Sequence, residues 1–237
     1  MITAIVLAGG VGSRVGAGIP KQFVKVLGKP VLAYTLEIYQ QHSSVDAIEV
    51  VCHASYTDYL KELVAEYGLT KVKWITNGGE TFQESCLNGI NYLSDKLCAD
   101  DLIMIHYGAA PFTSQEILAD AIRVCKEKGN AVCGIPCYQL MGSRDAEDVS
   151  STWVDRDKYI QITCPYCFRY GFVLDLYKEA IEKDLLDKVE PHTTTLMQYM
   201  GYKLYLSYGD QTNLKITTKE DLDLFEGFVL MKQNRKQ

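Results

Sequence analysis

Near its beginning the chain reads Ile2-Thr-Ala-Ile-Val-Leu7, and this run leads directly into Ala8-Gly-Gly-Val-Gly-Ser-Arg14. An uninterrupted series of apolar or β-branched residues is typical of a buried strand. Glycines let backbone N–H groups approach a phosphate closely, and ligands of open α/β sheets bind beyond the carboxyl ends of the strands. The two stretches therefore predict a first strand followed by a phosphate-binding turn.

Strands and helices alternate along the rest of the chain. Short apolar runs predict further strands at 47–52, 102–105, 131–135, 159–163 and 203–208. Helical spacing of apolar residues predicts helices at 31–39, 56–67, 82–97, 117–128, 170–183, 194–200 and 219–231. Gly129 is placed to stop the fourth of these helices. The alternation indicates an α/β fold with a largely parallel sheet, and we expect one domain over residues 1–237.

One segment departs from this alternation. Residues 138–157 are polar, include the acidic tract from Asp145 to Asp148, and show no regular apolar period. Long irregular segments in compact domains are usually functional. We therefore expect an arm, a lid or a dimer element at about residues 137–160.

Composition limits the class of protein. The 237 residues are 47% hydrophobic and 23% charged, as expected of a globular chain that buries a full core. No apolar run approaches the ~20 residues of a membrane helix, and the first residues are predicted to be a strand and not a signal peptide. A net charge of −6 argues against general binding to nucleic acid or to an anionic membrane. The spread of the eight cysteines predicts reduced thiols in the cytoplasm.

The glycine turn differs from two common phosphate-binding loops. A dinucleotide fingerprint that starts at Gly10 would need a glycine at Val15, and a Walker A loop would need a lysine where Ile19 follows Gly18. Arg14 and Lys21 instead supply positive charge beside the triphosphate that such a turn would hold. The structural alternative is an ordinary flexible turn between a strand and a helix.

The turn, together with Pro20-Lys-Gln-Phe23, resembles the sugar-nucleotide pyrophosphorylases, and specifically the cytidylyltransferases that act on methylerythritol phosphate and ribitol phosphate. Further matches follow in order along nearly the whole chain, at Gly78-Gly-Glu80 with Ser85, His106 with Ala109 and Pro111, Val154-Asp-Arg156, Pro165, and Leu214-Lys-Ile-Thr217. The resemblance implies a three-layer α/β/α Rossmann-like nucleotidyltransferase sandwich with a mostly parallel sheet. It also implies a protruding arm that reaches across a homodimer.

The same resemblance implies a reaction and its residues. The phosphate of a small polyol attacks the α-phosphorus of CTP and releases pyrophosphate, with Mg²⁺ as cofactor. Arg14, Lys21 and Lys215 match the basic residues that stabilise the transition state, because phosphoryl-type transfer depends on positioning and charge neutralisation. The positions expected to bind the nucleotide are Ala8, Gly9, Gly10, Gly12, Ser13, Gly79, Glu80, Ser85 and Gly108. Those expected to contact the acceptor are Tyr107, Arg156 and His192.

At several positions the chain departs from the family's pattern. Tyr107 and Thr212 stand where the family has carboxylates, and Ala110 and Phe82 stand where it has arginines. We predict no set of protein ligands for a metal, although one or two carboxylates usually help to hold Mg²⁺. Two interpretations remain. Either the pocket accepts a different acceptor, or the chain is a catalytically silent nucleotide-binding paralogue or regulatory partner.

The acceptor is expected to be ribitol 5-phosphate ahead of methylerythritol 4-phosphate, with glycerol phosphate or a phosphonate as further options. A separate alternative is a zinc or redox site built from Cys164-Pro-Tyr-Cys167 with Cys133 and Cys137. Ordinary packing is the preferred interpretation of these cysteines. For His106 we favour a structural role in which it bonds the backbone and shapes the following loop.

Overall fold

A computed structural model describes residues 1–10 and 19–235 of the chain. Its strands are β1 (Ile2–Ala8), β2 (Lys25–Val26), β3 (Lys29–Pro30), β4 (Ala47–Cys52), β5 (Val72–Asn77), β6 (Leu102–Tyr107), β7 (Asn130–Pro136), β8 (Met141–Gly142), β9 (Trp153–Val154), β10 (Ile160–Arg169) and β11 (Leu206–Tyr208). Its helices are α1 (Val31–Gln41), α2 (Thr57–Glu66), α3 (Phe82–Tyr92), α4 (Gln115–Lys128), α5 (Tyr170–Glu182), α6 (Thr193–Tyr199) and α7 (Lys219–Asn234).

Seven strands form the central sheet in the order β11-β7-β10-β6-β1-β4-β5. The pairs β1 with β4, β1 with β6, β4 with β5, and β7 with β11 are parallel. Strand β10 is antiparallel to both of its neighbours, β6 and β7. The prediction of a mostly parallel sheet is therefore confirmed, with one reversed strand in its middle.

Helices cover both faces of this sheet. Because successive side chains of a strand point to opposite faces, Ala4 and Val6 of β1 join one buried cluster and Ile5 joins the other. The first cluster includes buried residues of α1, α2 and α4, and the second includes those of α3, α5 and α6. The chain therefore has the three-layer α/β/α Rossmann-like architecture that the sequence predicts. Helix α4 ends at Gly129, whose φ of 92° is readily adopted by glycine, as expected.

The element predictions need four corrections. The strand expected at 203–208 begins only at Leu206. Strand β5 was not predicted, because it is a half-exposed edge strand without a continuous apolar run. The strand expected at 159–163 continues to Arg169, with Pro165 at a shift in register between Thr163 and Tyr166. Proline is tolerated in a sheet at such irregularities, so it does not end the strand here. The helix expected at 82–97 ends at Tyr92 and continues only as turns.

Residues 138–159 form the predicted excursion from the sheet. They contain the short ribbon of β8 and β9 and expose apolar side chains, with Leu140 at 92% and Trp153 at 78% of their free surface. Large apolar side chains exposed together are typical of interaction surfaces. Within the described ranges, every helix is too short or too polar to cross a bilayer.

Candidate active site

A cavity of about 350 Å³ opens at the carboxyl ends of β1 and β6, where ligands of open α/β sheets bind. Its volume lies in the usual range for small-molecule sites. Four segments far apart in the sequence contribute to its wall. The described residues that line it are Leu7, Gly9, Gly10, Lys21, Gln22, Gly79, Glu80, Thr81, Phe82, Ser85, Tyr107, Gly108, Ala109, Lys215 and Thr217.

Most of the expected site residues that the structure describes lie on this cavity. They are Gly9, Gly10, Lys21, Gly79, Glu80, Ser85, Tyr107, Gly108 and Lys215. Gly12, Ser13 and Arg14 lie outside the described residues. Three expected residues, Ala8, Arg156 and His192, are absent from the described lining, and each is considered below.

Gln22 holds the start of the glycine turn. Its side-chain amide donates to the carbonyl oxygens of Ala8 and Gly10 at 2.6 and 2.9 Å, and the residue is only 3% exposed. This amide therefore fixes the backbone where the chain leaves β1. Ala8 itself is buried and is not among the described residues that line the cavity, so its expected contact with the nucleotide stays a prediction. Gln22 belongs to the same motif as Lys21, but no local pattern indicates this role.

The loop after β5 is prearranged by the beginning of α3. The side chain of Glu84 accepts hydrogen bonds from the backbone N–H groups of Glu80 and Thr81 at 2.7 and 3.1 Å, and Thr81 completes a capping box. The hydroxyl of Ser85 accepts from the Gly79 N–H at 3.0 Å. A Cβ atom at Gly79 would lie 2.2 Å from the Cβ of Glu84, so only glycine fits there.

The two lysines of the cavity are linked through one residue. Lys21 Nζ donates to the carbonyl oxygen of Ile216 at 2.6 Å, and the Ile216 N–H donates to the carbonyl of Ala109 at 2.8 Å. Lys215 is the neighbour of Ile216, and its Nζ lies 3.9 Å from the centre of the Tyr107 ring. Two cations nearly 200 residues apart in sequence therefore face one cavity. Glu80 is the one acidic residue among the described lining residues, so the cavity favours an anion.

Beside the cavity lies a group of rings that we call the aromatic wall: Phe82, Tyr107, Tyr166 and His192. The Tyr107 hydroxyl lies 2.9 Å from the Tyr166 hydroxyl and 3.1 Å from Nδ1 of His192. The Phe82 ring centre lies 5.0 Å from that of His192 and 5.6 Å from that of Tyr107. The wall joins side chains from β6, β10, α3 and the start of α6.

The aromatic wall is electrically neutral at pH 7. Burial raises the pKa of Tyr107 and of Tyr166 far above the ordinary value for tyrosine. Burial also lowers the pKa of His192, and the nearby Glu190 opposes this only in part. His192 directly precedes α6 but does not cap it, since its ring nitrogen meets Tyr107 instead. It therefore reaches the cavity only through Tyr107 and Phe82.

Comparison with known proteins gives the family of the chain. The profile of the family described as IspD: 2-C-methyl-D-erythritol 4-phosphate cytidylyltransferase matches residues 2–231. The chain belongs to the IspD family. It is therefore an enzyme, and its class is cytidylyltransferase.

Named relatives of the IspD family cover the chain almost completely. A ribitol-5-phosphate cytidylyltransferase of Lacticaseibacillus paracasei is 39% identical over 233 residues, which are 98% of this chain and 100% of that protein. A 2-C-methyl-D-erythritol 4-phosphate cytidylyltransferase of Clostridium novyi is 34% identical over 95% of each chain. The solved 4-diphosphocytidyl-2C-methyl-D-erythritol synthase of Anaerococcus prevotii has a TM-score of 0.80 at 20% identity, over 97% of this chain and 96% of that one. The last comparison confirms the fold.

Arg156 is the expected acceptor residue that the chain does not bring to its own cavity. It lies in the arm with its side chain 43% exposed, and its guanidinium donates to the backbone carbonyl of Tyr138. Arg156 follows the ribbon of β8 and β9, and its hydrogen bond joins the two ends of the arm. Its contact with the acceptor stays a prediction.

The described residues do not supply the carboxylates that the resemblance implies as ligands of Mg²⁺. No group of three or more His, Cys, Asp or Glu side chains that could hold a metal occurs among the described residues. Tyr107 belongs to the aromatic wall, and the Thr212 hydroxyl donates to Asp210 at 2.6 Å. Magnesium prefers carboxylate and phosphate oxygens, and neither position supplies a carboxylate.

The cysteines and His106 have structural surroundings. All eight cysteines are free thiols, and burial raises the pKa of Cys133 to about 11 and that of Cys164 to about 12. Such thiols are poor metal ligands and nucleophiles at pH 7. His106 is fully buried, burial lowers its pKa to about 4, and its Nε2 lies 3.0 Å from the Ala110 carbonyl. The predicted role of His106 in shaping the loop after β6 is confirmed.

Proposed function

We propose that this enzyme transfers CMP from CTP to ribitol 5-phosphate and releases pyrophosphate. The observation that carries the proposal is the convergence of Lys21 and Lys215 on the cavity that the glycine turn opens. The full-length relative from Lacticaseibacillus paracasei, named a ribitol-5-phosphate cytidylyltransferase, supports this acceptor ahead of methylerythritol 4-phosphate. Glycerol phosphate and a phosphonate are further candidate acceptors, to be tested in the same assay.

In the proposed reaction, an oxygen of the acceptor phosphate forms a bond to the α-phosphorus of CTP. The bond between the α-phosphorus and the bridging oxygen breaks, and the electron pair leaves with pyrophosphate. Negative charge grows on the phosphate oxygens as this happens, and preorganised cations stabilise it. We assign this role to Lys21 and Lys215, and to Arg14 by its position in the glycine turn.

The proposed nucleotide site lies between the glycine turn and the loop after β5. Gly9 and Gly10 line the cavity on one side, and Gly79, Glu80 and Ser85 line it on the other. Glu84 and Gln22 hold these two loops in place before any ligand binds. Such preorganisation reduces the entropy lost when a flexible triphosphate binds.

A pyrophosphate-release assay tests the proposal. The purified chain is incubated with CTP and Mg²⁺, and with ribitol 5-phosphate, methylerythritol 4-phosphate, glycerol phosphate or a phosphonate in parallel. We expect release with ribitol 5-phosphate, and a loss of about 10²–10³-fold in Lys21→Ala and Lys215→Ala, as for other groups that stabilise transition-state charge. Lys61→Ala is the matched control, because Lys61 lies on the exposed face of α2.

The replaced carboxylates at Tyr107 and Thr212 favour a second candidate, a nucleotide-binding paralogue or regulatory partner without turnover. The same experiment separates the two. Calorimetric binding of CTP without release on any acceptor would establish the silent partner. Absence of CTP binding would refute both candidates and the assignment of the cavity.

We further propose that a single nucleotidyltransferase domain, over residues 1–237, acts as a homodimer through the arm. The profile match over residues 2–231 and the one seven-stranded sheet support the single domain. Exposed Leu140 and Trp153 on the arm support a contact with a second copy. Light scattering should give a dimer mass for the wild type and a monomer mass for Leu140→Lys combined with Trp153→Lys.

The free thiols and the acidic net charge support the expectation that the enzyme works in the cytoplasm. Fractionation of cells that produce it would test this.

A further inference from the structure

Tyr107 does more than line the cavity. The ammonium group of Lys215 lies over the face of its ring, 3.9 Å from the ring centre. The backbone of the same segment is fixed to the loop after β6, because the Ile216 N–H donates to the Ala109 carbonyl at 2.8 Å. The Lys215 side chain and the adjoining backbone are therefore both held by the short loop that starts at Tyr107.

The orientation of the Tyr107 ring is itself fixed. Its hydroxyl lies between the Tyr166 hydroxyl at 2.9 Å and His192 Nδ1 at 3.1 Å, on β10 and at the start of α6. Tyr166 is 4% exposed, so this side of the ring is well packed. These two contacts hold the Tyr107 hydroxyl from two sides, whichever atom of each pair is the donor. The ring therefore presents its face to Lys215 in a defined direction.

A ring face and a carboxylate hold a lysine differently. A carboxylate would neutralise most of the ammonium charge, whereas the ring attracts the ammonium through its quadrupole and adds no net charge. The ring itself therefore removes none of the ammonium charge from a bound phosphate. Lys215 and Tyr107 are both half-buried, so the strength of this contact lies between the exposed and the desolvated cases.

We propose that Tyr107 is a positioning residue that aims Lys215 at the phosphates through the face of its ring, and that Tyr166 and His192 set the angle of that ring. The inference rests on the proposed function only for the role of Lys215 in turnover. It places an aromatic support where the family's pattern has an acid. The wall that contains Tyr107 then determines the position of a cation that acts on the nucleotide.

Kinetics provide the first test. Tyr107→Leu should lower kcat/KM by about tenfold, the loss expected from one cation–π contact in a partly desolvated site. Tyr107→Phe keeps the ring and loses only the bonds that orient it, so it should retain clearly more activity than the leucine variant. In a Lys215→Ala background, Tyr107→Leu should cost less than about twofold, because a residue that acts through Lys215 has nothing left to position.

The control uses a matched contact elsewhere in the chain. Lys96 Nζ lies 4.1 Å from the ring centre of Tyr92, on α3 and away from the described cavity lining. Tyr92→Leu removes that cation–π contact and should leave kcat/KM unchanged. Equal losses in Tyr107→Leu and Tyr107→Phe, or an undiminished loss in the Lys215→Ala background, would overturn the proposal.

A spectroscopic test does not depend on turnover. Lysines carrying ¹³C-methyl groups keep their charge, and a lysine above a ring shows an upfield ring-current shift in its NMR signal. The signal that disappears in Lys215→Arg is assigned to Lys215. This signal should be shifted upfield in the wild type and should return to the ordinary position in Tyr107→Leu. Tyr92→Leu should move the Lys96 signal instead.

If Tyr107→Leu fails to fold, the wild-type spectrum alone still tests whether Lys215 lies over the ring of Tyr107. An unshifted Lys215 signal would refute the inference even in an active enzyme. A shifted signal in a protein that releases no pyrophosphate would uphold the contact between Lys215 and Tyr107 and refute only the proposed function.

Discussion

Replacing Glu49 with glutamine should stabilise the protein, and the gain should grow as the pH rises. Glu49 lies in β4, between β1 and the edge strand β5, and is fully buried. One carboxyl oxygen accepts from the Thr76 hydroxyl at 2.5 Å, and the other has no hydrogen-bond partner. Burial raises the pKa of Glu49 from 4.5 to about 8, with Thr76 and then Lys96 opposing the rise.

The sign of the effect follows from the two protonation states. Between pH 4.5 and 8 the unfolded chain has lost the Glu49 proton while the folded chain keeps it, so the folded state loses stability as the pH rises. Each pH unit in that window costs about 1.4 kcal/mol. Between pH 5 and pH 7 the contribution of Glu49 should therefore fall by roughly 2.5 kcal/mol, slightly less than two full units because each pKa lies close to this window. Glutamine has the same shape and no proton to lose.

Urea unfolding at pH 5, 6, 7 and 8 measures this difference for the wild type and for Glu49→Gln. We expect the free energies of unfolding to be similar at pH 5 and to separate in favour of glutamine by roughly 2.5 kcal/mol at pH 7. Glu62→Gln is the control, because Glu62 is an exposed residue of α2 and undergoes the same chemical substitution. Parallel curves for the wild type and Glu49→Gln across this range would refute the reasoning.

Three further perturbations test other parts of the structure. Gln22→Met leaves two loop carbonyls without their donor, and should lower the free energy of unfolding by roughly 2 kcal/mol in urea and raise the Kd for CTP; unchanged values would contradict its role. Gly79→Ala forces a Cβ against Glu84, so calorimetry should show CTP binding at least about tenfold weaker, and wild-type affinity would contradict the assigned loop. Cys98 is the one exposed cysteine, so a chromogenic thiol reagent should quickly label one thiol in the native chain and eight in denaturant, whereas further fast labelling would contradict the described burial.

Sequence patterns predicted the elements whose burial is continuous. Strand β1 and the helix that ends at Gly129 follow from unbroken apolar runs and a stop signal, and both are found. Strand β5 lacks such a run because only part of each side chain is covered at the edge of the sheet. Continuous burial leaves a local pattern in the sequence, and partial burial does not.

The residues of the candidate site also fall into two groups: those that a local motif predicts, and those whose position depends on how distant segments fold together. Lys21 and Lys215 belong to short motifs, and the structure brings both to one cavity. No role for Tyr166 follows from the sequence, because its approach to Tyr107 depends on the pairing of β10 with β6, which no local spacing reveals. Arg156 also belongs to a motif, yet its position depends on the path of the arm.

Ile216 supports both lysines of the cavity, and this has an evolutionary consequence. The Ile216 carbonyl accepts a hydrogen bond from Lys21, and the Ile216 N–H donates one to the loop after β6, while the Ile216 side chain is buried. Both polar contacts use the main chain, so drift in the identity of this side chain leaves the pair of cations intact. An insertion or deletion beside it, in contrast, would misplace both charges in a single event. Related sequences should therefore differ in the residue at position 216 but show no insertions or deletions beside it.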